Sequence, residues 1–167
     1  MGPRRGRPAV FLLAILAALA GGCASGAPVR TPPILAGSSA APREVNIIAR
    51  DYRFDPSPVD LVPGETVLFH LVNAGLEVHE VVIGDARVQA AWEAAEAGTA
   101  GAPPGPTPVV SVPPGLAGLR VVLRSGERVD VVWTVPTDVA TLIVGCHIPG
   151  HWERGMQVPV RFVTPGG

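Results

Sequence analysis

Thr66-Val67-Leu68-Phe69-His70-Leu71-Val72-Asn73 is the stretch that decides the fold class. In an extended strand successive side chains point to opposite faces. Val67, Phe69 and Leu71 therefore point one way, and Thr66, Leu68 and His70 the other. Downstream, Asn73-Ala74-Gly75 is a turn, and residues 77–84 alternate again with His79, Val81 and Ile83 on one face. Upstream, Val62-Pro63-Gly64-Glu65 and Asp55-Pro56-Ser57-Pro58 are turns, and residues 44–50 form a further alternating run. Residues 109–112, 119–124, 127–135, 140–145 and 157–163 read as strands, with Ser125-Gly126 as a tight hairpin turn. Short strands punctuated by turns predict an all-β sandwich. One piece breaks the pattern. Residues 87–97 (RVQAAWEAAEA) are rich in Ala and Glu and predict a short helix, and a Gly/Pro loop follows. Together they make an insertion near 85–108.

The ends carry different signals. Residues 1–22 read as a signal peptide: Arg4, Arg5 and Arg7, then an apolar run from Val10 to Ala20 that is short for a membrane span. Leu19-Ala20-Gly21-Gly22-Cys23 resembles a lipobox, which would make Cys23 the lipidated first residue of the mature chain. Cleavage after Ala20 would instead give a soluble exported protein. Residues 23–42 are rich in Ser, Gly, Ala and Pro and read as a flexible tether with a reach of about 25 Å. The folded domain is expected over 43–167. Export places the chain in the periplasm or on an outer membrane face, in an oxidising compartment.

The chain has 167 residues and a net charge of −1, and all 13 of its basic residues are Arg. Such a balance excludes a basic nucleic-acid binder, and 5% aromatic residues are too few for base-stacking platforms. Two Cys cannot support a disulfide-dense scaffold.

The chemistry concentrates in Cys146-His147-Ile148-Pro149-Gly150-His151-Trp152-Glu153-Arg154-Gly155-Met156. Thiolate, imidazole and thioether at C-x4-H-x4-M spacing suit copper in either oxidation state. A second imidazole must come from elsewhere, and His79, on the apolar face of its strand, is the candidate. These residues, with 73–84 (NAGLEVHEVVIG), resemble the cupredoxin family of type 1 blue copper proteins related to plastocyanin and azurin. The resemblance spans roughly 44–164. It implies a Greek-key sandwich and one type 1 copper ion held by His79, Cys146 and His151, with Met156 as weak axial ligand. Many small cupredoxins carry Asn after the first His, where this chain has Glu80.

Plainer readings stand beside these. Cys146 could pair with Cys23 or be an inert buried thiol. Zinc could take Cys and two His, although Met is a poor zinc ligand. His147, directly after Cys146, points away from the metal in an extended segment and reads as a surface residue or one behind the ligands. His70 reads as structural and Trp133 as core. Trp152 reads as core or as part of a docking patch. The insertion reads as decoration, or as a cover for the site that shapes docking. The resemblance implies an exported carrier of single electrons between membrane or periplasmic redox proteins. Copper delivery or resistance is the alternative. A multicopper enzyme is not expected from four His.

Overall fold

The computed structural model describes residues 1–2, 32–101 and 109–166. Residues 3–22 of the expected signal peptide and Cys23 lie outside the described residues, as does most of the loop after the insertion helix.

The alternating runs become strands of two sheets. β1 (Arg43–Arg50), β2 (Arg53–Asp55), β4 (Thr66–Asn73) and β7 (Arg128–Thr134) form one, in the order β2-β1-β4-β7. β3 (Val59–Leu61), β5 (His79–Gly84), β6 (Leu119–Leu123), β8 (Ile143–Gly145) and β9 (Gln157–Phe162) form the other, in the order β3-β9-β8-β5-β6. β1 runs parallel to β4 and β3 parallel to β9; the remaining pairs are antiparallel. Val67, Phe69 and Leu71 are fully buried and meet Ile47, Val81, Ile83, Leu123 and Val144 in the core between the sheets. Full burial of each such side chain is worth about 1.5–3 kcal/mol. His70 lies on the outer face, between Asp130 and Arg128.

β5 differs from the other strands in being buried on both faces, which in a sheet requires a covering layer. Helix α1 (Ala86–Ala97) supplies it. Asp85 caps this helix, accepting from the backbone N–H groups of Arg87 and Val88 at 3.0 and 2.9 Å. Val88 and Trp92 pack on Val82, while Gln89 and Glu96 are buried on the same face.

Several expectations change. Residues 109–112 form no strand: Val110 and Val112 rest against the Val82–Val88–Trp92 cluster. Pro113 and Pro114 follow and offer no N–H to a ladder. Ser125-Gly126 joins β6 to β7, yet these strands belong to different sheets, so the turn is a crossover and not a hairpin. Asn73 holds it there. Its backbone N–H donates to Glu127 O at 2.9 Å, its O accepts from Gly126 N–H at 2.9 Å, and its side chain donates to Leu123 O at 3.0 Å. The strand expected over 140–145 is confined to Ile143–Gly145, and β2 and β3 flank what reads in sequence only as a Pro-rich turn. Within the stretch read as tether, Ile34 O accepts from Gly166 N–H, and Gly37 bonds to Thr66 and Glu65.

Candidate metal centre

His79 opens β5, and Cys146 immediately follows β8, the neighbour of β5 in the sheet. Residues 146–156 then turn tightly. His151 N–H donates to Ile148 O at 2.9 Å and Met156 N–H to His151 O at 3.1 Å. Gly155 takes φ 90°, a conformation that favours glycine. The loop closes where Cys146 N–H donates to Met156 O at 3.1 Å.

This folding brings three donors together. His79 Nδ1 lies 3.2 Å from His151 Nδ1, and Cys146 Sγ lies 3.3 Å from His151 Nδ1. One atom from each residue lies within 4.8 Å of the others. His79 and Cys146 are fully buried and His151 is 5% exposed. Ligand atoms sharing one first-row ion at about 2.0–2.3 Å stand roughly 3.3–3.7 Å apart. The separations of 3.2 and 3.3 Å lie at or just under the short end of that range, so the two nitrogens and the sulfur are close enough to share such an ion, and a thiolate with imidazoles is a donor set that suits copper. Met156 is fully buried in the same core cluster as Cys146.

The outer nitrogens of both rings face carboxylates. His79 Nε2 lies 2.8 Å from Asp51 Oδ1, and His151 Nε2 lies 3.3 Å from Glu77 Oε2. These acceptors place the ring protons on Nε2 and leave Nδ1 bare toward the cluster. Asp51 also accepts from the N–H groups of Leu76 and Glu77, and Leu76 first, then His79, holds its carboxyl below the usual range. Tyr52 OH donates to Glu77 Oε1 at 2.6 Å and is the main cause of the lowered Glu77 carboxyl. The Tyr52 ring stands edge-on to His151 at 5.0 Å, and the Arg154 guanidinium lies over it at 4.2 Å. Burial, then the neighbouring His79, lowers the basicity of His151. Burial pushes the Cys146 thiol up to about 12, opposed by the N–H that Glu80 donates to Sγ at 3.4 Å.

The other flank of Cys146 is a buried polar network. Glu80 Oε1 accepts from His147 N–H at 2.9 Å and Oε2 from Arg120 Nε at 2.6 Å. Arg120 reaches on to Glu96 Oε1 at 2.7 Å, its guanidinium over the Trp92 ring. Gln89 donates to the carbonyls of Val82, Gly84 and Ile143 and accepts from His147 Nε2 at 2.6 Å. Burial raises the Glu80 carboxyl above its usual range, Arg120 opposing.

The structure thus brings His79, Cys146 and His151 together. His147 points away from them, as its place in the chain predicts, but it is not at the surface. It is 4% exposed, stacked on Trp152 at 4.6 Å and bonded to the insertion helix. That helix is no decoration, since Gln89 bonds to His147, beside Cys146, and Glu96 reaches Glu80, beside His79, through Arg120. Asp51, Glu77, Gln89, Arg120 and Glu96 carry no local signal in sequence that would mark them.

No protein-family model matches the chain. Over 184 aligned positions it is 30% identical to the copper-resistant cuproprotein CopI of Pseudomonas aeruginosa, covering 93% of this chain and 96% of that one. Over 127 positions it is 32% identical to the copper-resistant cuproprotein CopI of Rubrivivax gelatinosus, covering 72% and 68% respectively. The solved auracyanin of Roseiflexus castenholzii superposes with a TM-score of 0.60 at 19% identity, over 77% of this chain and all of that one. Its fold is that of the cupredoxins.

Proposed function

We propose that this chain, which belongs to the family of the copper-resistant cuproprotein CopI and binds copper in a cupredoxin fold, holds a single type 1 copper ion through His79, Cys146 and His151 and serves copper resistance outside the cytoplasm as a one-electron centre. The enclosed cluster of two bare Nδ1 atoms and one thiol carries this reading.

Copper bound there supplies one-electron redox chemistry. His79 offers Nδ1 from a strand packed on both faces, so its position does not depend on the ion. His151 offers Nδ1 from the loop. Cys146, whose thiol burial holds at about 12, would have to give up its proton to hold a metal through sulfur. Met156, buried in the same core cluster as Cys146, would supply a thioether. A scaffold that fixes the donors beforehand keeps rearrangement between the two copper states small. The remaining imidazoles are committed elsewhere, His70 to Asp130 and His147 to Gln89, which speaks against a further catalytic copper.

The copper-loaded protein should show an intense visible thiolate-to-copper band with narrow EPR hyperfine splitting, and Cys146→Ser should abolish both. Met156→Gln should keep the band and lower the reduction potential, since an oxygen donor favours Cu(II). In a copper-sensitive host, wild type should restore growth on copper and Cys146→Ser should not. Equal growth with both would separate resistance from this centre.

A second reading, an electron carrier between membrane or periplasmic partners, is favoured by the same preformed donor set. Rapid electron exchange with a membrane redox protein, with no growth benefit on copper, would select it. A colourless protein holding only Cu(I) would select delivery. An anchor at Cys23 would confine the domain near such partners. Mass spectrometry of the mature N-terminus decides between lipidated Cys23 and cleavage after Ala20.

A further inference from the structure

We propose that Asp51 and Glu77 are positioning residues that fix both imidazoles of the centre with Nδ1 inward and, through their two charges on the outer nitrogens, favour Cu(II) over Cu(I). The inference rests on the reading of His79 and His151 as copper ligands.

Four observations carry it. Each ring has its outer nitrogen against a different carboxylate, at 2.8 Å for Asp51 and 3.3 Å for Glu77. The contact at His79 is built into the chain, because a Cβ on Gly75 would collide with both Asp51 Oδ1 and His79 Nε2. Successive residues hold the pair in place: Asp51 accepts the Glu77 N–H, and Tyr52 OH donates to the Glu77 carboxylate. Neither carboxylate has a cation of its own, since among the described residues no Arg forms an ion pair with Asp51 or Glu77. Glu80, by contrast, is paired with Arg120, a cation that it shares with Glu96.

A carboxylate on the outer nitrogen fixes tautomer and ring orientation and makes the imidazole a stronger donor. Its charge also stabilises a doubly charged ion more than a singly charged one, more so where water is excluded. Asp51 should dominate. Its side chain is 28% exposed against 53% for Glu77, and its contact is shorter.

The test uses the full copper-loaded chain and reads the reduction potential by voltammetry, with Cu(II) and Cu(I) affinities measured separately. Asp51→Asn removes the charge and keeps an acceptor oxygen for His79 Nε2–H, at the expense of one of the two oxygens that accept the Leu76 N–H. It should lower the Cu(II)-to-Cu(I) affinity ratio about tenfold, equivalent to a potential about 59 mV higher for a one-electron couple. Glu77→Gln should give about a threefold change that vanishes near 1 M salt, where charges at the surface are screened within about 3 Å. The visible band should stay in place in both. Asp51→Ala should also loosen the ring and broaden the EPR signal, with Asp51→Asn keeping it narrow. Potential and affinity ratio equal to wild type overturn the assignment of the carboxylate concerned. The Glu77 side chain holds no backbone group, so Glu77→Gln tests the charge effect even where Asp51→Asn disturbs the 75–77 turn. A wild-type protein lacking the intense band would instead overturn the ligand reading. The band present with unshifted variants overturns only this inference.

Discussion

The two flanks of Cys146 use the same chemical group in opposite ways. On one side, Asp51 and Glu77 sit at the rim against imidazole nitrogens, without Arg partners among the described residues. On the other, Glu80 and Glu96 are sealed under the insertion helix and share Arg120. A rim carboxylate keeps its charge in contact with water, so it can bias the centre yet adds little to stability. A sealed carboxylate must be matched by a cation and by hydrogen bonds, so it organises the fold, and Arg120 offsets one of the two buried charges that would otherwise act on the metal. The flank that matters most for stability should therefore matter least for the potential.

Arg120→Ala attacks the sealed flank directly. It leaves Glu80 and Glu96 buried and unmatched, at a cost of about 3–5 kcal/mol. The fall in denaturant midpoint measures it. A loss under about 1 kcal/mol would show that water reaches the network and the contrast between flanks is false. The combined variant Glu80→Gln, Arg120→Leu, Glu96→Leu removes the charges together and should recover most of that loss.

Gln89→Leu comes next. It strips partners from three carbonyls and from His147 Nε2, which costs about 1–3 kcal/mol. Thermal unfolding of the apo protein reads this, and the copper potential should stay within about 20 mV of wild type, less than a threefold change in affinity ratio.

At the rim, Arg154→Ala removes a cation over Tyr52, worth about 0.5–1 kcal/mol where exposed. A loss as large as that of Arg120→Ala would erase the distinction between rim and interior.

The smallest effect lies away from both flanks. Arg128, then His70, holds the Asp130 carboxyl down from 3.8 to about 2. A folded-state value below the unfolded one means a stabilisation present above about pH 4 and lost as pH falls toward 2. Asp130→Asn should flatten the melting temperature's pH dependence in that window alone. Because the group is at the surface, the change should be small and shrink with salt.

Sequence carried the parts of this molecule that are local. Alternation in Thr66–Asn73 is a property of eight consecutive residues, and the loop that gathers Cys146, His151 and Met156 is eleven residues long. The partners that tune them are far apart along the chain: Asp51 lies 28 residues from His79, Glu80 lies 40 from Arg120, and Glu77 lies 74 from His151. Only the order of strands within a sheet and the packing of one sheet on the other bring these together, and neither has a local signature. Ser125-Gly126 makes the same point, because the turn chemistry is identical whether its strands pair or part. Residues 109–112 alternate like a strand, yet no ladder needs them.

β5 is sealed beneath α1 on one face and against the core on the other, and it bonds to β6 and β8 along its edges. Its amide hydrogens should therefore be among the last to exchange with deuterated solvent, while those of the turn at Leu76 exchange early. His79 rides on that slow-opening strand, whereas His151 rides on a loop closed by a few turn bonds. The two imidazoles thus belong to units that open on different timescales. Copper should leave by brief excursions of the 146–156 loop, with His79 still in place to receive the next ion.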